Sequence, residues 1–136
     1  MKRRWLKDWP WETVVVINAG LCKEKSALHK PTSDGYEPAQ ELWESSRSRE
    51  LTLRETLDIC RQCHKQAPFC FYNGNTFVAI GRTLILDLLR KMSPVKAQAF
   101  RSVVGHYIAG TAGSEELAKE LEELDCIRDA IPSMPA

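Results

Sequence analysis

This sequence has no apolar run long enough to cross a bilayer. Its basic N-terminus begins like a secretion signal, but Asp8 and Glu12 interrupt it early. The apolar run from Val14 to Ile17 is far shorter than the ~20 residues that a membrane-spanning helix requires. The sequence therefore predicts a cytoplasmic protein without a membrane segment.

Internal repeats are absent, and the number of cysteines does not suit a disulfide framework. Because that number is odd and no secretion signal is predicted, we interpret the cysteines as reduced thiols. They are Cys22, Cys60, Cys63, Cys70 and Cys126. With 136 residues the chain can form a single core without cross-links. We expect one domain over residues 1–136: residues 1–50 form a Trp-rich arm, a short strand, a loop and a short helix, residues 51–126 the helical core, and residues 127–136 a loose tail.

Net charge is also nearly absent, at +1, but the charges are unevenly distributed. Residues 1–110 contain 17 Lys and Arg against 11 Asp and Glu, whereas residues 111–136 contain 2 against 7. A basic body with an acidic C-terminal helix suits an anionic partner, or a C-terminal segment that folds back on the body. Ordinary solvated surfaces are the alternative interpretation.

Segments typical of strands are scarce. Residues 13–17, Thr-Val-Val-Val-Ile, are β-branched and are followed by Asn-Ala-Gly, which is typical of a strand and a turn. Residues 69–72 form a second extended candidate, because they lie between Pro68 and a turn-forming Asn-Gly pair. A lone strand is unstable, so we expect residues 13–17 to pair with residues 69–72 or with another chain.

Helix signals dominate the rest of the chain. Thr52 and Glu55 have the spacing of a capping box, and Ser93-Pro94 is a typical helix start that Gly110 can end. Apolar periodicity and these ends predict five helices, over residues 38–47, 52–66, 76–92, 94–110 and 114–125. The predicted fold class is mainly α, a compact bundle of about five helices with a short N-terminal extended or β element.

The helix predicted over residues 76–92 has the widest apolar surface, an arc of roughly 200° at 100° per residue. A helix that is apolar over most of its circumference packs on several sides, so we expect it to be central. Arg82 falls inside the apolar arc, where an unpaired charge is costly. Arg82 must therefore meet a carboxylate, reach a groove or face a partner.

Three tryptophans lie close together near the N-terminus, among basic residues. Trp5, Trp9 and Trp11 alternate with Lys2, Arg3, Arg4 and Lys7. Indole rings among positive charges suit single-stranded nucleic acid by stacking, and they equally suit a protein interface, where Trp and Arg are enriched. Three tryptophans in seven residues are more than a small bundle is expected to bury, so the sequence predicts that they contact a partner, with a protein favoured over RNA.

The segment Cys60-Arg61-Gln62-Cys63-His64 carries the C-x-x-C-H spacing. On a helix, Cys60 and His64 share the apolar face of Leu57, with Cys63 beside them, which indicates core packing. A zinc site through Cys60, Cys63 and His64 is the alternative, because residues three and four apart can reach one ion. Cys22 and His29 would then complete the shell; otherwise no cofactor is predicted.

The segment Arg101-Ser102-Val103-Val104-Gly105-His106, late in a small helical domain, resembles the active motif of the HEPN ribonuclease and RNA-binding superfamily. The resemblance implies that His106 acts as acid and base and that Arg101 stabilises charge on the scissile phosphate. Five positions on a straight helix place these side chains about 140° apart. They converge only if the helix is distorted at Gly105 or if a second subunit supplies one of them.

Together these patterns predict a small helical binding or adaptor module, a non-catalytic subunit of a larger assembly with a protein partner. The predicted binding residues are Trp5, Trp9, Trp11, Arg82, Arg90, Lys91, Lys96 and Arg101. RNA binding or metal-independent RNA cleavage through Arg101 and His106 is the second interpretation, and a zinc-stabilised module is the third. The sequence leaves homo-oligomerisation open.

Overall fold

The computed structural model describes the backbone of residues 2–129 and the side chains as far as Leu124. Within that range the chain is mainly helical and contains isolated β-bridges rather than strands. The helices are α1 (Trp11–Glu24), α2 (Tyr36–Ser46), α3 (Leu53–Gln66), α4 (Asn73–Leu84), α5 (Leu86–Leu89), α6 (Pro94–Ala109) and α7 (Ser114–Asp129). The prediction of a mainly α fold is confirmed. The predicted loose tail, residues 127–136, lies largely outside the described residues.

The strand predicted over residues 13–17 is wrong, because these residues lie inside α1. The buried stripe of α1 has helical spacing and consists of Trp11, Val14, Asn18 and Cys22. It includes a polar residue, Asn18, whereas the apolar Val16 is 67% exposed on the other side. Because a polar residue faces the core and an apolar residue faces solvent, the apolar residues of this segment do not show helical periodicity. Tertiary packing of α1 also outweighs the small strand preference of β-branched residues.

Asn18 is fully buried, and the cost of burying its amide is offset because every polar atom of the side chain has a partner. Its amide nitrogen donates to the carbonyl oxygen of Phe71 at 2.8 Å and to the hydroxyl of Thr76 at 3.1 Å. Its amide oxygen lies 2.8 Å from Nδ1 of His29 and accepts from the thiol of Cys22 at 3.5 Å. This one side chain joins α1, the loop after it and the start of α4.

The extended segment at residues 69–72 pairs elsewhere than predicted. Phe69 forms an antiparallel bridge with Pro31, and the amide of Cys70 donates to the carbonyl oxygen of Lys30. A second bridge joins Arg3 to Leu51. These single bridges tie loops to the helical body, so the predicted pairing of residues 13–17 with 69–72 does not form.

Helix ends were predicted better than helix interiors. The capping box is formed: the Thr52 hydroxyl accepts from the amide of Glu55, and the Glu55 carboxylate accepts from the amide of Thr52. Ser93 caps α6, and Gly110 ends it at φ 85°, a backbone conformation that glycine adopts without strain. Local hydrogen bonds set these boundaries, which is why short sequence signals identified them.

The long helix predicted over residues 76–92 is broken at Ile85 into α4 and α5. Ile85 is fully buried. The sequence contains no helix-breaking proline or glycine between Thr83 and Lys91 that would predict this break. Helix α4 also begins earlier than the predicted residue 76, directly after Tyr72, which has a positive φ of 61°. The prediction that this segment is central holds for α4, which packs against α1, α3, α5 and α6.

Residues 2–10, here called the N-terminal arm, are packed against the body rather than projecting from it. Leu6 is fully buried, and the Trp43 indole donates to the carbonyl oxygen of Trp9 at 2.8 Å. Trp11 is 2% exposed and stacks on Phe69, so it belongs to the core. Trp5 and Trp9 are partly buried against the same core. The three tryptophans are thus not all buried, as expected, but Trp11 is a core residue.

Because the N-terminal arm is packed against the core, substitutions in it should change the free energy of unfolding. Replacing Leu6 by Ala removes a fully buried side chain and should lower the free energy of unfolding by about 2–5 kcal/mol. Lys7→Ala, a change at the exposed neighbouring side chain, should alter it by no more than about 0.5 kcal/mol. Denaturant unfolding of both variants measures this, and equal stabilities for Leu6→Ala and the parent protein would show that the arm is not part of the core.

Within residues 2–129, no helix combines the length and the apolar character that a membrane span needs.

Candidate functional site

Helices α4 and α6 cross at two glycines, and the crossing forms the centre of the candidate site. A Cβ atom built on Gly81 of α4 would collide with Cδ1 of Ile108 on α6. On α6, a Cβ atom on Gly105 would lie only 2.5 Å from a terminal nitrogen of Arg82. Because neither glycine has a side chain, the two helices come close enough for side chains of one to lie on the backbone of the other.

The guanidinium of Arg82 lies across the backbone of α6 at Gly105. Its Nε and Cζ atoms would each be 3.0 Å from a Cβ at that position. Gly105 is buried beneath it, whereas Arg82 itself is partly exposed. The sequence placed Arg82 among the apolar positions of its helix, but it gave no sign that a glycine of another helix lies beneath the guanidinium.

Arg82 has no acidic partner among the side chains that the structure describes. Its Nε atom is buried and makes no hydrogen bond within the described part of the chain. Neither α4 nor α6 contains an Asp or a Glu. Burial, and then the positive charge of Arg101, lower the pKa of Arg82 below its ordinary value. The guanidinium still carries its charge at neutral pH, because arginine does not deprotonate there.

Arg101 lies on α6 one turn before Gly105 and is exposed. Residues four apart on a helix share a face, so Arg101 projects from the side of α6 on which Arg82 lies. We call Arg82 and Arg101 the arginine pair. Two like charges near each other, without a carboxylate between them, form a local concentration of positive charge.

The other predicted basic residues are distributed around this pair. Arg90 and Lys91 are exposed in the turn between α5 and α6. Lys96 lies elsewhere on α6, 3.9 Å from the Glu123 carboxylate of α7. The cleft between α6 and α7 at this point has a volume of about 10 Å³, room for a single water molecule. Because Lys96 lies close to the Glu123 carboxylate, it contributes less positive charge to the site than Arg90 or Lys91.

Arg61 shows how the fold satisfies a different arginine. It donates to the carbonyl oxygens of Tyr107 and Ala112 at 3.2 and 3.1 Å, and its guanidinium lies 4.5 Å from the centre of the Tyr107 ring. The Tyr107 hydroxyl donates in turn to Asp58. Arg61 thus binds one carbonyl oxygen in the last turn of α6 and one after the helix, whereas Arg82 has no such acceptor among the described residues.

Arg101 and His106 are not brought together within one chain. Helix α6 runs without interruption from Pro94 to Ala109, so Gly105 does not distort it and the two side chains leave it about 140° apart. His106 is exposed, with Nδ1 lying 2.7 Å from the Thr111 hydroxyl. Of the two arrangements that would assemble the motif, only contribution from a second subunit fits this geometry.

The C-x-x-C-H residues lie in or beside the core. Cys60 and Cys63 are buried, and burial raises the pKa of both thiols, that of Cys63 to about 12. Thiolate is the form that binds zinc, so this environment disfavours a metal. His64 uses Nδ1 to donate to the carbonyl oxygen of Ile108 at 3.0 Å, a bond that requires the proton on that nitrogen. Among the described residues, no three His, Cys, Asp or Glu side chains are placed to hold one ion.

Cys22 and His29, the residues considered as further zinc ligands, both contact the amide oxygen of Asn18. They belong to the buried network of α1 rather than to a site with Cys60. Sequence spacing could not show this, because the acceptor that joins them is a residue without any metal-binding signature.

Comparison with protein-family models, curated proteins and solved structures finds no match to this chain. The candidate site therefore rests on the geometry of the arginine pair.

Thiol reactivity tests the placement of the cysteines. In a Cys126→Ser variant, an aromatic disulfide reagent should modify Cys70 rapidly, because that thiol is exposed. The buried thiols of Cys22, Cys60 and Cys63 should react only after denaturant is added, since they are inaccessible and burial disfavours the reactive thiolate of Cys60 and Cys63. A second thiol that reacted as fast as Cys70 in the folded protein would contradict this arrangement.

Proposed function

We propose that this protein is a non-catalytic binding module that docks an acidic segment of a partner protein at the arginine pair. The observation that carries the proposal is the position of Arg82: its guanidinium lies on Gly105, beside Arg101, without a carboxylate from the described side chains. An anion supplied by a partner is the missing component of this arrangement.

Energetics support an external anion. The Nε atom of Arg82 is a buried donor without an acceptor, at a cost of about 1–3 kcal/mol, so a docked anion would bind the terminal nitrogens of this partly exposed side chain. The neighbouring charge of Arg101 adds repulsion. Residues 59–113 contain seven Lys and Arg but a single acidic residue, Asp87, which is bound by Arg3 at 3.3 Å. Apart from Arg61, which binds two carbonyl oxygens, and Lys96, which lies near Glu123, the positive charge of this region is available to attract and bind an acidic partner.

A protein partner is favoured over single-stranded RNA by the aromatic residues. Proteins that bind single strands stack bases on exposed rings, but the rings of α4 and α6, Phe77, Phe100 and Tyr107, are buried. The segment between the two arginines instead exposes aliphatic side chains, with Leu86 at 44% and Val95 at 80%. Arginine combined with exposed apolar side chains is typical of protein interfaces.

The tryptophans have a smaller part in this proposal than the sequence suggested. Trp11 is a core residue, so it offers no surface to a partner. Trp5 and Trp9 retain partial exposure, and the guanidinium of Arg3 lies 4.8 Å from the centre of the Trp5 ring. They stabilise the arm and contribute at most the edge of an interface.

RNA binding and cleavage form the second candidate, supported by the exposure of both Arg101 and His106 on α6. Because the two side chains diverge, this candidate requires a dimer in which Arg101 of one copy meets His106 of the other. Cleavage should then depend on protein concentration and cease in His106→Ala, whereas the docking proposal assigns His106 no role.

The direct test measures binding of a fluorescent oligoglutamate peptide by anisotropy. The parent protein should bind it, more weakly as salt rises, since exposed charges are screened. Arg82→Gln and Arg101→Gln should each reduce affinity by about tenfold or more, as expected for a central interface arginine.

Lys65→Gln is the matched control, because it removes one exposed positive charge from α3 and leaves the arginine pair intact. Its affinity should stay within about twofold of the parent value if the site is local. Equal losses in all three variants would mean that the peptide senses only net charge. Tighter binding of a labelled oligouridine, with cleavage, would replace docking by the RNA candidate.

A further inference from the structure

We propose that the arginine pair recognises a phosphate monoester, carried by a phosphorylated side chain of the partner segment. This inference rests on the proposed function and adds the chemical class that the site prefers. Three features of the site support it. Neither α4 nor α6 contains an acidic residue to offset the two positive charges, the guanidinium of Arg82 lies on the backbone at Gly105, and Nε of Arg82 has no acceptor among the described residues.

The charge of the site matches a phosphate better than a carboxylate. Arg82 and Arg101 supply two positive charges, and α4 and α6 contain no acidic residue to offset either of them. A phosphate monoester carries a charge of about −1.5 to −2 at neutral pH, whereas a carboxylate carries −1. One phosphate therefore neutralises both arginines, and one carboxylate leaves a net positive charge.

The number of acceptor atoms leads to the same ligand. A carboxylate has two oxygens, which a single guanidinium occupies in the bidentate arrangement. A phosphate monoester has three terminal oxygens, enough to accept from two guanidinium groups at once. The arginine pair offers those two groups from separate helices, α4 and α6, and neither is engaged by the described side chains.

Gly105 holds one of the two groups in place. The guanidinium of Arg82 rests on the bare backbone of α6, so one of its faces is covered and its freedom of movement is reduced. A restrained side chain loses less entropy when it binds a ligand. A methyl group at position 105 would lie 2.5 Å from a terminal nitrogen of Arg82 and would push the guanidinium away.

A variant with a methyl group at position 105 would use this clash to displace the guanidinium of Arg82 while keeping its positive charge in the protein. Gly105→Ala keeps both arginines and replaces glycine inside a helix by a better helix former. The end of the Arg82 side chain is flexible, so it should swing aside while the fold persists. Loss of phosphate recognition in Gly105→Ala would therefore report the position of Arg82 rather than net charge or stability.

The experiment uses the full chain and three peptides of one glycine-rich sequence, with phosphoserine, aspartate or serine at the central position. Binding is followed by NMR on the arginine Nε–H resonances and by the midpoint of thermal unfolding. The phosphoserine peptide should bind at least about tenfold more tightly than the aspartate peptide and should shift the resonance of Arg82. The serine peptide should not bind.

The variants complete the test. Arg82→Gln, Arg101→Gln and Gly105→Ala should each lose about tenfold or more of the affinity for the phosphoserine peptide, with helical circular dichroism unchanged. Lys65→Gln should retain it. Equal affinity for the phosphoserine and aspartate peptides overturns phosphate recognition but leaves acidic docking intact. If the phosphoserine and oligoglutamate peptides bind and no arginine variant weakens either, both proposals are wrong.

A labelled oligouridine in the same series separates phosphate monoesters from phosphate diesters. If it binds more tightly than the phosphoserine peptide and depends on the same arginines, the ligand is a nucleic acid backbone and the phosphopeptide inference is wrong.

Discussion

The close approach of α4 and α6 is the constraint on which the candidate site depends. Gly81 lets Ile108 of α6 reach the backbone of α4, and Gly105 lets Arg82 of α4 reach the backbone of α6. The contact is reciprocal, since each helix provides a glycine and receives a side chain. With any larger residue at Gly105, the guanidinium of Arg82 would have to move away from the backbone of α6, and the arginine pair would lose its support.

The remaining packing holds this crossing in place from both sides. Asn18 links α1 to the start of α4 through Phe71 and Thr76, and Arg61 of α3 binds carbonyl oxygens in the last turn of α6 and just after it. In both cases the polar atoms are satisfied inside the protein. Arg82 differs, because its Nε atom is buried without an acceptor in the described part of the chain. Five other buried side-chain atoms of the described residues also lack a partner, among them Nε1 of Trp11, so this feature supports a binding site only together with the position of Arg82 on Gly105 and beside Arg101.

How much the sequence could predict depended on whether the signal was local. The capping box at Thr52, the Ser93-Pro94 start and the Gly110 end were predicted because each is formed by residues a few positions apart. The helix at residues 13–17 was missed because Asn18 faces the core and Val16 faces solvent, which reverses the usual pattern. The break at Ile85 was missed because no proline or glycine marks it. Arg82 was identified from its apolar surroundings, but Gly105 was not, since their contact joins two helices distant in sequence.

The central claim is that Arg82 is a charged side chain for which the described part of the fold provides no acceptor. Unfolding of Arg82→Met, compared with Arg61→Met, tests it most directly. Methionine keeps the unbranched stem of the side chain to about the position of Nε and removes the donor without an acceptor and the repulsion from Arg101, so Arg82→Met should raise the free energy of unfolding by about 1 kcal/mol. Arg61→Met should lower it by about 1–3 kcal/mol, because two carbonyl oxygens lose their donor. If Arg82→Met destabilised the protein as much as Arg61→Met, Arg82 would be a structural residue, and the assignment of an anion-binding site to it would be wrong.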